Sequence, residues 1–357
     1  MSDILTSPVK IAQGESVQQV QLDSKVNDFL TEKLGREAVA HLQWDLSKSH
    51  SEIPESLEGT TGLVNVQRIN DIRRINKYLE AVNRKQENGQ YLVVCMETKN
   101  SRKFRVLRKY RRPFNAIYYT LDFFLKRVLP KWKPTRKIYF IITKGRNRVL
   151  SLTEGLARLV CCGYQIEEFK RVGYNTYIIA RKVKDPAYDM QPTYGALVKL
   201  KRVGKNGRLF NVFKMRTMYP YSEYLQDYVF EKYDLRDGGK IRNDFRMTSY
   251  GQFFRKYWID ELPMLINWLK GEMKLVGVRP LSRHYFELYP EDLQEMRTRV
   301  KPGLVPPFYA DLPVTLEEIQ ESERNYLRAY AEKPLRTDIE YFFKSFYNIF
   351  FRNARSR

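Results

Sequence analysis

The chain has 357 residues and a formal net charge of +22, and 43% of its residues are hydrophobic and 14% aromatic. This length allows two buried cores, and the apolar content excludes disorder as a general description. No window approaches the roughly 18 apolar residues that a membrane span needs, so we expect no spanning helix. The cysteines Cys95, Cys161 and Cys162 lack metal-ligand spacing and predict core positions in a reducing compartment.

Residues 1–58 are predicted to be a polar segment with one short helix near 24–34, and an α/β domain is expected at 59–185. In that domain, isoleucines at helical spacing predict a helix through 69–79, and the apolar run 91–96 predicts a buried strand. A helix after Leu150 and two paired strands at 165–169 and 176–180 follow. This order faintly resembles the second half of a Rossmann-like methyltransferase. Because residues 1–62 lack the glycine-rich cofactor loop of that class, the resemblance implies a partial α/β fold without methyl transfer.

An insertion at 101–148 interrupts this domain and is strongly basic. It holds sixteen Lys or Arg residues against the single acid Asp122, with many aromatic residues between them. An amphipathic helix from about Phe114 to Leu129 with basic flanks is typical of a segment that lies on an anionic membrane surface. The predicted membrane contacts are Arg108, Lys109, Arg111, Arg112, Phe114, Tyr118, Phe123, Phe124 and Trp132.

Two other interpretations of the insertion stay open at this point. The helix could be a core helix with a solvated basic face. The net charge and the aromatic residues also fit a nucleic-acid patch. No nucleic-acid recognition motif accompanies the patch, so we do not expect nucleic acid as a partner.

The adjacent carboxylates Asp260 and Glu261 stand where a helix is predicted to begin, from about 260 to 270. A helix start offers free backbone N–H groups and the positive end of the helix dipole, which favour bound phosphate and an ionised carboxylate. Arg255 and Arg279 on either side could each hold two phosphate oxygens. The alternative is that Asp260 is only an N-cap and Glu261 an ordinary first-turn acid.

Several short motifs surround this pair in a fixed order. They are Arg202 to Phe210 followed by Lys214 to Met218, then Arg246 to Arg255, Asp260 to Pro263, Leu269 to Met273, Val276 to Leu281 and Lys301 to Leu304. The series resembles the bacterial sugar transferase domain, the catalytic core of the monotopic polyprenyl-phosphate phosphoglycosyl transferases. For residues 190–357 the resemblance implies a mainly helical catalytic domain with a β-hairpin.

In that family a sugar 1-phosphate passes from a nucleoside diphosphate sugar, here expected to be a UDP-sugar, to a polyprenyl phosphate such as undecaprenyl phosphate. The resemblance implies that Asp260 is the nucleophile and forms a covalent aspartyl-phosphosugar intermediate. It implies that Glu261 activates or positions the lipid phosphate, and that Asp260 holds Mg²⁺. The expected phosphate or nucleotide contacts are Arg246, Arg255, Arg279, Lys214 and Arg216.

Two features depart from the family pattern. Members usually carry an apolar re-entrant helix just before the hairpin, but residues 173–198 are too polar for one. The segment 305–313 also differs, which puts the choice of sugar and nucleotide in doubt. Membrane attachment is therefore expected from the insertion, or from the aromatic run at 341–352. The predicted location is the cytoplasmic face of the inner membrane, held peripherally.

The sequence thus predicts an α/β (α+β) protein with an N-terminal Rossmann-like partial domain and a phosphoglycosyl transferase domain. It would act early in the synthesis of a bacterial exopolysaccharide, capsule or glycoconjugate. The alternative is a non-catalytic scaffold of the polysaccharide assembly machinery. The intact pair Asp260 and Glu261 favours the enzyme, and the missing membrane-entering helix favours the scaffold.

Overall fold

The computed structural model describes residues 6–13, 16–188, 194–232 and 244–352. The chain divides into two compact units. The first comprises Met1–Gly195 and Tyr219–Glu231, and the second Ala196–Met218 and Lys232–Arg357. The stretch that resembles a sugar transferase therefore contributes a short segment, 219–231, to the first unit.

The first unit begins with an antiparallel hairpin, β1 (Thr6–Gln13) and β2 (Ser16–Asp23). Its central sheet has five strands: β3 (Leu42–Asp45), β4 (Gly62–Arg68), β5 (Tyr91–Met96), β6 (Tyr164–Val172) and β7 (Asn175–Lys182). The strand order is β3-β4-β5-β7-β6. Strands β3, β4 and β5 are parallel, and the hairpin of β6 and β7 joins β5 in antiparallel pairing. The predicted α/β class is confirmed by this mixed sheet.

Helices surround this sheet. They are α1 (Ser24–Leu34), α2 (Arg36–Ala40), α3 (Ile75–Lys85), α4 (Lys99–Lys109), α5 (Phe114–Phe123), α6 (Lys133–Thr143), α7 (Leu152–Cys161) and α8 (Gln226–Lys232). A π-helical turn, Phe124–Val128, follows α5. The buried face of α1, with Val26, Phe29 and Leu30, packs against sheet residues that include Val93 and Ile179.

The structure extends the sheet across the predicted boundary at residue 58. Strand β3 lies inside the segment predicted to be polar, and its backbone pairs with β4, so the sheet begins earlier in the chain than expected. The helix predicted through 69–79 is wrong at its start. Residues 69–71 form a 3₁₀ turn after β4, and α3 begins only at Ile75. Strand β5 and the paired strands β6 and β7 are confirmed.

The second unit opens with an antiparallel hairpin, β8 (Leu197–Val203) and β9 (Leu209–Met215). Two short strands, β10 (Lys274–Val276) and β11 (Gly303–Val305), form a parallel pair. The helices are α9 (Ser249–Lys256), α10 (Leu265–Leu269), α11 (Arg283–Glu287), α12 (Glu291–Arg299), α13 (Phe308–Asp311), α14 (Leu316–Glu332) and α15 (Pro334–Phe351). The mainly helical unit with a β-hairpin is confirmed. Within the described residues of the whole chain, every helix is too short or too polar to cross a membrane.

Candidate functional site

Asp260 and Glu261 lie in the second unit, in a 3₁₀ helix (Ile259–Met264) that continues directly into α10. The continuous α-helix predicted from 260 to 270 is therefore wrong in its first turn. Pro263 has no N–H to complete an α-helical bond, which favours the tighter turn. The N-cap position is taken by Trp258, whose φ is 54°. Asp260 is thus not the N-cap, so that part of the alternative is wrong, whereas Glu261 does lie in the first turn.

The Asp260 carboxylate is buried, with 9% of the residue exposed. Burial raises the pKa of Asp260, and the nearby charge of Glu261 raises it further, while Lys214 and Arg255 oppose the increase. Among the residues that the structure describes, no side chain donates a hydrogen bond to this carboxylate. Its oxygens are therefore available to an incoming group.

Glu261 is held by two cations. The Nζ of Lys214, on β9, donates to Glu261 Oε1 at 2.6 Å, and the Arg279 guanidinium lies 3.7 Å from the same oxygen. Burial lowers the pKa of Lys214, although the charge of Glu261 opposes that effect. The hairpin and the loop after β10 thus meet at the carboxylate pair.

Arg255, at the end of α9, lies close enough to Asp260 for their charges to interact. Its Nε donates to Thr217 Oγ1 at 3.1 Å. Burial lowers the pKa of Arg255, and the charge of Asp260 opposes the decrease. Helix α9 comes this close because Gly251 has no side chain, and a Cβ there would lie 2.1 Å from the Thr217 carbonyl oxygen.

The two remaining predicted contacts have other surroundings. Arg246 is buried, and its Nε and Nη2 donate to the Asp244 carboxylate at 2.9 and 2.7 Å. Arg216 is half-buried just after β9, and its backbone N–H donates to the carbonyl of Ala196 at 2.6 Å. The structure therefore groups Lys214, Arg255 and Arg279 around the carboxylates and ties Arg246 to Asp244. Their roles toward a ligand stay predictions.

Asn267 is a structural residue of the site that the sequence analysis missed. It is fully buried in α10, and its Nδ2 donates to the Asn211 carbonyl and to Glu272 Oε2, both at 2.7 Å. Its Oδ1 accepts the backbone N–H of Phe213 at 3.0 Å. This side chain fastens α10 to β9. An asparagine between Ile266 and Trp268, inside an apolar helix, was the available signal.

A metal would find few protein ligands here. In the described part of the chain, no three His, Cys, Asp or Glu side chains are placed to hold an ion together. Asp260, whose carboxylate receives no side-chain donor, fits Mg²⁺ nonetheless, since that ion usually binds one or two carboxylates together with substrate phosphates.

Comparisons with known proteins show what this region is similar to. Residues 187–352 match the model of the bacterial sugar transferase family. An undecaprenyl-phosphate galactose phosphotransferase of Salmonella typhimurium is 39% identical over 108 residues, which is 29% of this chain and 22% of that protein. An uncharacterized sugar transferase, EpsL, of Bacillus subtilis is 33% identical over 160 residues, 44% of this chain and 64% of that protein.

The shared region is limited in extent. A Haemophilus influenzae protein described as an uncharacterized sugar transferase is 39% identical over 108 residues, or 29% of this chain and 23% of its own length. The chain thus spans less than a quarter of the length of several of these relatives. A 16S rRNA (adenine(1408)-N(1))-methyltransferase mutant from Catenulisporales acidiphilia covers 50% of this chain and 99% of its own, at 12% identity and a TM-score of 0.22. That likeness is too weak to say anything about the fold.

The family match covers the hairpin, the carboxylate pair and the three cations around it. Residues 187–352 of this chain are therefore similar to the bacterial sugar transferase family.

Proposed function

We propose that this protein is a phosphoglycosyl transferase that moves a sugar 1-phosphate from a nucleoside diphosphate sugar to a polyprenyl phosphate. The observation that carries the proposal is the Asp260 carboxylate, which receives no side-chain hydrogen bond from the described residues. It stands beside Glu261, which Lys214 and Arg279 hold. The names of the relatives, which include undecaprenyl-phosphate galactose and glucose phosphotransferases, support the same reaction class.

The first proposed step forms a covalent enzyme. A carboxylate oxygen of Asp260 attacks the phosphorus that bears the sugar. The bond from this phosphorus to the bridging oxygen of the diphosphate breaks, and the nucleoside monophosphate leaves with both electrons. The product is an acyl phosphate on Asp260. Arg255 and Arg279 are suited to hold the phosphate oxygens as negative charge shifts to the leaving group.

The second proposed step transfers the sugar phosphate to lipid. An oxygen of the polyprenyl phosphate attacks the same phosphorus, the acyl–phosphate bond breaks, and the Asp260 carboxylate is regenerated. Glu261 keeps Lys214 and Arg279 in place through its ion pairs, and these cations lower the repulsion between two phosphate groups. We therefore propose that Glu261 positions the lipid phosphate through its partners.

Magnesium completes the proposed site. Asp260 would hold Mg²⁺ together with phosphate oxygens of the donor. The ion would offset the charge of the diphosphate. The donor is proposed to be a UDP-sugar and the acceptor undecaprenyl phosphate, in the synthesis of a bacterial surface polysaccharide. The three cysteines are buried and free, which supports a reducing compartment and thus the cytoplasmic face of the membrane.

The test uses the purified full chain, radiolabelled UDP-sugars, undecaprenyl phosphate and Mg²⁺. We expect transfer by the parent and its loss in Asp260→Asn, together with loss of the phosphosugar adduct seen by intact mass spectrometry. Asp292→Asn, which removes an exposed carboxylate paired with Arg324, is the matched control and should keep full activity. Full activity in Asp260→Asn would refute the covalent route. A parent that transfers none of the sugars would favour the scaffold.

A further inference from the structure

Helix α5 in the insertion buries polar side chains. Asp122 lies on the buried side of the helix, where the Arg102 guanidinium donates two hydrogen bonds to its carboxylate, at 2.6 and 2.9 Å. Arg127, in the π-helical turn, is also buried and donates to the carbonyl of Val149 at 2.8 Å. Surface helices of soluble domains normally bury their apolar side. In this helix the inward side is the polar one.

The outward side of the same helix is apolar. Large side chains recur there at helical spacing, and each is at least 36% exposed: Phe114, Ile117, Tyr118, Leu121, Phe124, Leu125 and Val128. Contiguous exposed apolar patches of this kind mark surfaces that bind something apolar. The helix is therefore arranged for an apolar surrounding on its outer side.

Helix α6 adds a second apolar stripe that the sequence did not reveal. Ile141 and Ile142 are each 75% exposed and Ile138 is 60% exposed, whereas Tyr139 between them is buried. We call the seven outward side chains of 114–128 together with these three isoleucines the insertion face.

Cations accompany the insertion face. Arg108, Lys109, Arg111 and Arg112 are all exposed just before α5. In α6, Arg136 and Lys137 are exposed beside the isoleucines. Basic side chains next to exposed apolar side chains match the two layers of an anionic bilayer, its charged headgroups and its acyl chains.

We infer that the insertion face binds the surface of an anionic lipid bilayer. A second copy of this chain is a poor occupant, because the exposed cations of the two copies would be brought together. Nucleic acid is also a poor occupant, because isoleucine side chains gain little from a phosphate backbone. The inference goes beyond the proposed function, since lipid binding requires neither the donor nor Asp260.

The apolar part of the inference is tested by changing Leu121, Leu125, Ile141 and Ile142 together to Gln. Glutamine keeps the helix propensity, so circular dichroism and the thermal midpoint should stay close to the parent's. In co-sedimentation with phosphatidylglycerol vesicles we expect binding about tenfold weaker or more. The matched control changes Leu335, Ile339 and Phe343 of α15, which are comparably exposed, to Gln and should bind like the parent.

The electrostatic part is tested by changing Arg108, Lys109, Arg111 and Arg112 together to Gln. Vesicle binding by this variant should weaken. The parent protein should dissociate from the vesicles at high salt and should not bind vesicles of pure phosphatidylcholine. Asp260→Asn should bind vesicles like the parent, which separates this inference from the proposed reaction.

Three results would overturn the inference. The first is unchanged vesicle binding by both Gln variants of the insertion. The second is weakened binding by the α15 control alone, because that result would assign the membrane contact to α15. The third is preferential binding of the insertion face to duplex RNA, or to a second copy of the chain as detected by sedimentation velocity, over vesicles.

Discussion

At the scale of single residues, the site balances charge around a buried acid. Burial and the neighbouring Glu261 raise the pKa of Asp260, while Lys214 and Arg255 lower it. In the proposed reaction Asp260 must be ionised to attack, and the charges of Lys214 and Arg255 favour that form. The same cations are suited to bind phosphate, so in the proposed reaction they would both favour ionised Asp260 and hold the donor.

Removing one cation should therefore move the pH dependence of the reaction. In Lys214→Met the pKa of Asp260 should rise, because an opposing positive charge is lost. We expect the acid limb of kcat/KM to move to higher pH, measured as a full pH profile. Lys205→Met, an exposed lysine in the turn of the same hairpin, should leave the profile unchanged. An acid limb at the parent's position in Lys214→Met would contradict this coupling.

The raised pKa also has a consequence for stability. A carboxyl whose folded pKa lies above its unfolded value favours the folded state when protonated, and this advantage is lost as pH rises through the folded pKa. Above its folded pKa, ionised Asp260 therefore costs stability. Asp260→Asn, neutral and nearly isosteric, should have a thermal midpoint at pH 7 equal to or above the parent's. The difference should shrink at acid pH, and a lower midpoint at pH 7 would contradict it.

At the scale of elements, one side-chain amide joins α10 to the hairpin of β8 and β9. Asn267 makes two donor bonds and one acceptor bond to β9 and Glu272 while fully buried. A polar side chain in this position specifies one register of helix against strand, because any shift would leave its groups unpaired.

Asn267→Ala should leave the Asn211 carbonyl and the Phe213 N–H without their partner. We expect a loss of about 2 kcal/mol in the free energy of unfolding, measured with urea. Asn211→Ala is the control, because its backbone carbonyl, not its exposed side chain, accepts the bond. Equal stability of the two variants would show that the amide has no such role.

The elements also show how far sequence reasoning reaches. Strand β5 and the hairpin of β6 and β7 were predicted because their own residues carry the apolar pattern. Strand β3 was missed because it has only four residues and lies within a polar stretch. Its stability comes from pairing with β4, which follows a 16-residue connection, and the sequence does not show that pairing. For the same reason the sequence placed Lys214 among phosphate contacts but could not pair it with Glu261.

At the scale of the whole molecule, the large positive charge is partly buried in the first unit. The Glu154 carboxylate accepts a hydrogen bond from Lys131 Nζ at 2.7 Å. Its oxygens also lie 3.3 Å from the Arg158 guanidinium and 3.4 Å from the Arg127 guanidinium. Burial raises the pKa of Glu154, but these three cations outweigh burial and hold it below its ordinary value. One carboxylate thus allows several cations to pack together.

Glu154→Gln should leave these cations without their counter-charge. We expect a loss of about 3–5 kcal/mol in the free energy of unfolding. The folded pKa of Glu154 is depressed, so its carboxylate stabilises the protein above the unfolded pKa, and this stabilisation is lost as pH falls through the folded pKa. The difference in stability between parent and variant should therefore narrow in acid. Glu167→Gln, which removes a surface partner of Arg181, should change stability little.

The left-handed backbone of Trp258 has a consequence for the turn that carries Asp260. A bulky residue in this conformation costs on the order of 1–2 kcal/mol. Its indole Nε1 donates to the Tyr309 hydroxyl at 3.0 Å, across 51 residues of sequence. The backbone turn that leads into Asp260 is therefore tied to the Tyr309 phenol. Tyr309 and Trp258 therefore act together: a variant that lacks the phenol is expected to tolerate glycine in place of the tryptophan, because glycine adopts the same turn without strain.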